Sequence, residues 1–169
     1  MTLFIIVISF VILQRFIELA IAKRNEKWLI SRGAVEYGKE HYKYIVMLHV
    51  GFILSLIAEY FLRGRYIELT VINYIFLGVF VFLQIIRISV LTSLGRYWCT
   101  RVYRIPGEPL VSTGIYKYLK HPNYMVVIGE ILTLPLIFNL YFTCIIFTIL
   151  NAVILTNRVR VENKALSQN

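Results

Sequence analysis

The chain has 169 residues, of which 59% are hydrophobic and only 16% are charged. Soluble chains usually carry about 25% charged residues, and a soluble domain of this length would leave too much apolar surface in water. The composition therefore excludes a large soluble core and indicates a polytopic membrane protein. Because spanning helices use up most of the chain, residues 1–169 are expected to form a single domain.

The net charge is +9, a value that would also suit a nucleic-acid-binding protein. The basic residues, however, lie in short segments between apolar runs, where they orient a membrane protein and bind anionic head groups. We therefore expect membrane lipids as partners and no nucleic acid.

The first apolar run covers residues 2–22, close to the ~20 residues that a spanning helix needs. It has no basic region before it and no small-residue cleavage site, so it is interpreted as a retained helix rather than a signal peptide. Arg15 and Glu18 interrupt the run on one helical face, where they are expected to pair. A polar, helical segment is predicted at 23–43.

The second and third apolar runs cover residues 44–62 and 69–86, separated by a short turn at 63–66. Arg87 closes the third run. A long polar stretch then continues to Asn123, and its glycines and prolines are typical of loops.

The last apolar run, 124–156, is too long for one crossing. Pro135 and Asn139 indicate a break near 138–140, which makes a helical hairpin with halves of ~14–16 residues, short for full spans. One long tilted helix, giving four crossings in all, is the alternative.

Basic residues decide between these topologies, because cytosolic loops carry the excess of lysine and arginine. With five helices, Arg63 and Arg65 lie on one side and fifteen basic residues lie on the other. These fifteen are Lys23, Arg24, Lys27, Arg32, Lys39, Lys43, Arg87, Arg96, Arg101, Arg104, Lys117, Lys120, Arg158, Arg160 and Lys164. The prediction is an all-α protein of the cell membrane with about five transmembrane helices, its N-terminus outside and its C-terminus in the cytosol.

The start of the fourth run carries the sequence HPNY. Proline suits the first position of a helix, so His121 would cap it and Tyr124 would lie in its first turn. The free amides of a helix start can receive an anionic group. The same four residues also fit a plain interfacial cap with a tyrosine at the membrane boundary.

Arg158 and Glu162 lie four residues apart near the end of the last run and so share a helical face. Alone they fit an ordinary charged helix exit. The hairpin, however, returns them toward His121 and Tyr124, so two weak signals converge in space. Glu130, inside the fourth run, is a functional candidate because ionisable groups are costly there. A structural pairing with Arg87, Arg158 or a backbone group is the alternative.

The sequence lacks the motifs of several common kinds of active site. It has no Gly-rich phosphate loop, no GxSxG and no HExxH, and it contains no aspartate. His41, His49 and His121 are too scattered for a metal cluster, so no metal is expected. Cys99 and Cys144 are expected to be free thiols.

The sequence LVSTGIYKYLKHPNY, followed by a hairpin and RVRVEN, resembles the isoprenylcysteine carboxyl methyltransferase family of integral membrane enzymes. RFIELAIAKRNE and GKEHY in the first half are similar, more loosely, to its small bacterial branch. The residues that match the family pattern are Leu110, Val111, Gly114, Tyr116, Lys120, His121, Pro122, Tyr124, Arg158 and Glu162.

The resemblance implies S-adenosylmethionine as the cofactor, Arg158 and Glu162 as catalytic residues, and Arg158 as the residue that faces the methyl acceptor. The residues implied to bind the cofactor are Glu108, Pro109, Leu110, Val111, Tyr116, His121, Pro122, Asn123, Tyr124 and Glu162. Two positions depart from the family: Lys120 replaces an arginine, and Asn163 replaces the second acid of a Glu-Glu pair.

The implied activity is O-methylation of a lipophilic acceptor at the membrane, with the active site facing the cytosol. The favoured acceptor is a ring hydroxyl of an alkylpyrone or phenolic polyketide lipid. Carboxyl methylation of a prenylcysteine-type substrate and methylation of a phospholipid amine are the alternatives. A small membrane scaffold is the non-enzymatic alternative, and a lipid reductase would need a nicotinamide cofactor that no sequence feature favours.

Overall fold

The computed structural model describes residues 1–64 and 68–166, which form five α-helices and two short strands. The helices are α1 Thr2–Ser31, α2 Lys39–Leu62, α3 Val71–Leu94, α4 Pro122–Ile137 and α5 Tyr141–Leu166. The strands are β1 Val35–Tyr37 and β2 Val102–Arg104. Short 3-10 turns cover Gly95–Tyr97 and Gly114–Lys117.

Four of the described helices, α1, α2, α3 and α5, are long and apolar enough to cross a membrane. Helix α4 has 16 residues and is therefore about 24 Å long, less than the ~30 Å of a bilayer core. The prediction of an all-α membrane protein is confirmed. Of the about five transmembrane helices predicted, the described residues form four of spanning length and one shorter apolar helix, α4.

The hairpin predicted at 138–140 is confirmed. Helix α4 ends at Ile137 and α5 begins at Tyr141, and Asn139 between them has a φ of 54°. Left-handed backbone of this kind is tolerated by asparagine and ends a helix. The second half is longer than the predicted ~14–16 residues, because α5 continues through the charged segment to Leu166.

The hairpin turn is fastened to the last turn of α2. The carboxylate of Glu59 accepts hydrogen bonds from the backbone N–H groups of Phe142 at 3.1 Å and Thr143 at 2.7 Å. It therefore caps α5, a role that the spacing of Glu59 from Arg63 does not reveal. We call this end of the helices the turn end.

The two strands form the opposite end of the molecule, here called the sheet end. Strands β1 and β2 pair antiparallel, with Val35 opposite Arg104. The sequence predicts neither strand. Their pairing fastens the segment between α1 and α2 to the long loop between α3 and α4.

The apolar core at the turn end is aromatic. Phe4 stacks on Tyr60 with ring centroids 3.7 Å apart and meets Phe138 edge-on at 5.0 Å. Other large apolar side chains face outward, such as Phe16, which is 66% exposed. An apolar outer surface on this scale is what a bilayer would cover.

Two helix boundaries differ from prediction. The helical segment predicted at 23–43 is interrupted: α1 ends at Ser31, with Asn25 and Leu29 buried on one face, and strand β1 separates it from α2. Helix α3 continues past Arg87 to Leu94, so Arg87 lies inside a helix and is buried rather than closing it. Part of the turn predicted at 63–66, and the C-terminal end of the chain, lie outside the described residues.

A buried ion-pair quartet joins α1, α3 and α4. Arg15 contacts Glu18 at 2.8 Å and Glu130 at 2.7 Å, while Arg87 contacts Glu18 at 3.0 Å and also pairs with Glu130. Gln84 donates a further hydrogen bond to Glu130 at 2.8 Å. The predicted pairing of Arg15 with Glu18 is confirmed, and Glu130 has the structural partner Arg87.

Candidate functional site

A cavity of about 600 Å³ opens at the sheet end and continues down between the helices. Its walls come from all five helices and from the long loop between α3 and α4. Most of the residues predicted for the site line it: Pro109, Leu110, Val111, Tyr116, His121, Asn123, Tyr124, Arg158 and Glu162.

Glu108 and Pro122, also predicted for the site, do not line the cavity. The carboxylate of Glu108 pairs with Arg32 at 2.6 Å and accepts a hydrogen bond from the Tyr97 hydroxyl at 2.9 Å. The hydrogen bond from Arg32, followed by that from Tyr97, holds the pKa of Glu108 below its usual value. Glu108 therefore fastens the loop that carries Pro109 and the residues after it, and Pro122 is buried as the first residue of α4.

The start of α4 and the end of α5 meet in the cavity wall. The Tyr124 hydroxyl donates a hydrogen bond to Glu162. His121 Nδ1 lies 3.3 Å from Glu162 Oε1, and His121 Nε2 lies 3.2 Å from Asn163 Oδ1. The rings of His121 and Tyr124 stack with centroids 5.3 Å apart. The convergence of these two segments, predicted from the hairpin, is confirmed.

This arrangement concentrates hydrogen-bond acceptors. Because the side-chain oxygen of Asn163 can only accept, Nε2 of His121 donates to it. In the neutral imidazole Nδ1 is then an acceptor that faces the Glu162 carboxylate. Nδ1 makes no hydrogen bond despite its closeness to Glu162, and Asn123 Oδ1 is likewise buried without a partner. Buried acceptors without donors are costly, so this wall is suited to a cationic donor such as an ammonium group.

Donors line another part of the cavity. Arg158 donates to the Thr100 carbonyl at 2.8 Å. Arg104 donates to the Glu108 carbonyl, and its Nε is buried without a partner. A carboxylate or an acceptor oxygen would satisfy these guanidinium groups.

Tyr116 lies in the 3-10 turn Gly114–Lys117 and lines the same space. It packs on a cluster formed by Ala22, Val90 and Trp98. Burial, and then the negative charge of Glu162, raise the pKa of Tyr116 above its usual value. Its hydroxyl therefore stays protonated and is available as a donor.

The inner end of the cavity is formed by residues outside the predicted site. Arg15, Glu18, His49 and Arg87 all line it. His49 Nδ1 lies 2.8 Å from the carbonyl of Ile45, which fixes Nδ1 as the protonated nitrogen. The only signal for His49 in the sequence is a polar residue within an apolar run.

The register of α2 against α5 gives the depth of this inner end. Ser55 bonds Thr143 at 2.8 Å, and Gly51 lies against Phe147, so His49 is level with the region near residue 149. Since a helix rises 1.5 Å per residue, Arg158 lies ~13 Å nearer the sheet end. The cavity therefore extends deep between the membrane-spanning helices.

The loop strand β2 and the residues before it form a wall that the sequence analysis did not predict. Arg101 pairs with Glu36 at 3.0 Å and lies over the ring of Tyr42 at 4.6 Å. The Tyr103 hydroxyl donates to Glu26 at 2.6 Å, and burial, followed by this bond, raises the pKa of Tyr103. These contacts hold the loop on α1 and α2, at one side of the cavity.

The part of the chain that the structure describes contains no cluster of side chains suited to a metal ion. Within residues 1–64 and 68–166, no three His, Cys, Asp or Glu side chains lie together in a way that would hold a metal ion.

Comparison with known proteins agrees with the geometry. The sequence model of the isoprenylcysteine carboxyl methyltransferase (ICMT) family matches residues 74–168. The chain is 43% identical to the uncharacterized protein YpbQ of Bacillus subtilis (strain 168), over 98% of each chain. It is 29% identical to an uncharacterized protein of Haemophilus influenzae (strain Rd), over 90% of this chain and 88% of the relative. No solved structure matches with significant similarity. The chain therefore belongs to the isoprenylcysteine carboxyl methyltransferase family, a family of membrane methyltransferases that use S-adenosylmethionine.

Proposed function

We propose that this protein transfers a methyl group from S-adenosylmethionine to an oxygen atom of a lipophilic acceptor. The favoured acceptor is a ring hydroxyl of an alkylpyrone or phenolic polyketide lipid. One observation carries the proposal: the cluster of Glu162, His121 and Asn123 opens into the same cavity that runs ~13 Å between the membrane helices. A polar cofactor and an apolar acceptor could thus meet inside one cavity.

The polar lining fits the amino-acid part of S-adenosylmethionine. The carboxylate of Glu162 and the unpartnered acceptors His121 Nδ1 and Asn123 Oδ1 suit its ammonium group. The unpartnered Nε of Arg104 suits its carboxylate. When bound, the cofactor supplies a methyl group activated on a sulfonium.

The protein's own residues would then position and shield the acceptor. Arg158, held on the Thr100 carbonyl, would orient an acceptor oxygen for in-line attack, with Tyr116 as a further donor. Pro109, Leu110 and Val111 line the cavity and would exclude water from the reacting atoms. Positioning of this kind supplies a large part of the rate enhancement when the reacting group is already activated.

The inner cavity favours a neutral or singly ionised acceptor over a highly charged one. Arg15, Glu18 and Arg87 there are compensated within the quartet, whose formal charge is zero. Apolar side chains such as Leu48, Val127 and Ile154 also line the cavity. A ring with a hydrocarbon chain fits such a lining, with its hydroxyl directed toward Arg158.

The first experiment measures cofactor binding. Purified protein in detergent should bind S-adenosylmethionine, and Glu162→Gln should weaken the affinity at least about tenfold, since a hydrogen bond to a charged group contributes roughly 1.5–3 kcal/mol. Glu68→Gln is the matched control because Glu68 is exposed at the turn end. Absence of binding by the unaltered protein would overturn the proposal and favour a scaffold.

The second experiment identifies the acceptor. Mass spectrometry of lipid extracts with and without the protein should reveal a lipid that gains one methyl group. An aryl or enol ether resists mild base, whereas the methyl ester of a prenylcysteine carboxylate is hydrolysed and a methylated amine keeps a basic nitrogen. A base-labile or amine product would therefore replace the favoured acceptor with one of the alternatives.

A further inference from the structure

A second open space lies between α1 and α3 at the sheet end. It is a groove of about 730 Å³. We propose that this groove binds an anionic phospholipid, whose phosphate lies between Arg24 and Arg96. One acyl chain would follow the apolar wall formed by Ile21, Ile88 and Leu91.

The charge of the groove supports an anionic occupant. Arg24 and Arg96 are both exposed, and neither forms an ion pair with a carboxylate of residues 1–64 and 68–166. By contrast, Arg32 nearby is neutralised by Glu108 at 2.6 Å. Two uncompensated guanidinium groups beside one groove suit a phosphate, which arginine binds with two parallel hydrogen bonds.

The groove is organised before any ligand arrives. The guanidinium of Arg96 lies 5.8 Å from the ring centre of Trp28, a cation–π contact that fixes the charge on the α1 side. The side-chain amide of Asn25, which is buried, donates to the carbonyls of Gly95 at 3.1 Å and Trp98 at 2.8 Å. The base of the groove is therefore held rigid against both helices.

The position along the helices matches the level of lipid phosphates. Arg24 lies two residues after the apolar run 2–22, and Arg96 lies two residues after the end of α3 at Leu94. Trp28 lies at the same level, where tryptophan is enriched in membrane proteins. Basic pockets between transmembrane helices at the interface are typical lipid head-group sites.

The composition of the lining selects among phospholipids. The groove is lined by Ile21, Arg24, Asn25, Trp28, Ile88, Leu91, Thr92, Gly95, Arg96 and Trp98. None of these residues is acidic, so the ammonium of a choline or ethanolamine head group finds no carboxylate there. We therefore expect phosphatidylglycerol to be preferred over phosphatidylcholine.

The experiment is native mass spectrometry of the full chain, released from detergent containing equal amounts of phosphatidylglycerol and phosphatidylcholine. We expect a preference of about 30-fold for phosphatidylglycerol, because each basic residue near the membrane surface adds about a fivefold attraction. The double variant Arg24→Gln/Arg96→Gln should lose this preference. The single variant Arg96→Gln should lose part of it and guards against misfolding of the double variant.

The matched control is Lys117→Gln/Arg160→Gln, which removes two exposed charges outside the groove. It should keep the preference. Equal loss in both double variants would mean diffuse charge attraction and would overturn the proposal. Displacement of the lipid by millimolar inorganic phosphate would also overturn it, because the site would then recognise free phosphate. Binding of S-adenosylmethionine should be retained in the groove variants, so this test is separate from that of the proposed function.

Discussion

At the scale of single residues, Asn163 explains how His121 is held in a sequence that departs from the family pattern. The resemblance to the family implies a second acid at this position, whereas here the amide oxygen lies 3.2 Å from His121 Nε2. An amide accepts the imidazole N–H as an acid would, but it adds no second negative charge beside Glu162. The His121 ring therefore stays oriented although only one carboxylate, that of Glu162, lies beside it.

Replacing Asn163 should therefore affect cofactor binding through His121. Asn163→Leu removes the partner of Nε2 and should weaken the affinity for S-adenosylmethionine about fivefold, the effect of one ordinary hydrogen bond. Asn163→Glu, which restores the family residue, should retain binding. Isothermal titration calorimetry measures both, with the exposed Asn157→Leu as control. An unchanged affinity for Asn163→Leu would contradict this role.

At the scale of elements, the close approach of α2 and α5 at the sheet end depends on Gly38. It has a φ of 65°, and a Cβ added there would lie 2.6 Å from Cγ1 of Val161, the residue before Glu162. Gly33 has a φ of 78° but no atom within 4 Å of its virtual Cβ. The two glycines share backbone strain on substitution but differ in packing.

This difference predicts the effect of two matched substitutions. Gly33→Ala should cost about 1–2 kcal/mol of stability from its left-handed backbone. Gly38→Ala should cost more, because α2 and α5 must also separate, and it should weaken S-adenosylmethionine binding through Glu162. Thermal unfolding in detergent, followed by circular dichroism, compares the two. Equal melting shifts for both variants would show that the contact with Val161 contributes nothing.

Elements with a clear signal in the sequence could be predicted, and elements without one could not. The hairpin break was predictable because Pro135 and Asn139 interrupt a run too long for one crossing. The sheet was not, because three-residue strands have no periodicity and Val35 pairs with Arg104 far along the chain. The motif residues of the candidate site were predictable from their spacing, whereas His49 and the wall around Arg101 were not. Each of these reaches the cavity only through tertiary packing.

At the scale of the whole molecule, the ion-pair quartet links three helices within the apolar interior. Glu18 and Glu130 each accept from both Arg15 and Arg87, and the sum of formal charges is zero. Burial of charges is costly, so such a network by itself is weak evidence for added stability. Three of its members, Arg15, Glu18 and Arg87, also line the inner end of the cavity, so the helix arrangement and the depth of the cavity depend on the same network.

Removing one member should therefore be more harmful than removing a matched pair. Glu130→Ala leaves Arg87 with excess buried charge and should cost about 3–5 kcal/mol. Arg87→Met/Glu130→Leu leaves Arg15 with Glu18 as a neutral pair and should be more stable than Glu130→Ala. Thermal unfolding of the unaltered protein, the single variant and the double variant in one detergent compares their stabilities. A double variant less stable than the single variant would mean that the quartet stabilises the fold outright.

The orientation of the whole molecule follows from where the basic residues lie in space. Arg87 is buried in the quartet and drops out of the count, yet the sheet end still carries Lys39, Lys117, Arg160 and their neighbours, whereas Arg63 lies at the turn end. Because cytosolic surfaces carry this excess, we predict that the sheet end, with the site, faces the cytosol. In a background of Cys99→Ser and Cys144→Ser, Glu68→Cys should react with a membrane-impermeant maleimide in intact cells, and Lys117→Cys should react only after lysis. The reverse pattern would place the acceptor and cofactor cavity on the outer face, where cytosolic S-adenosylmethionine does not reach it, and would contradict the proposed function together with the orientation.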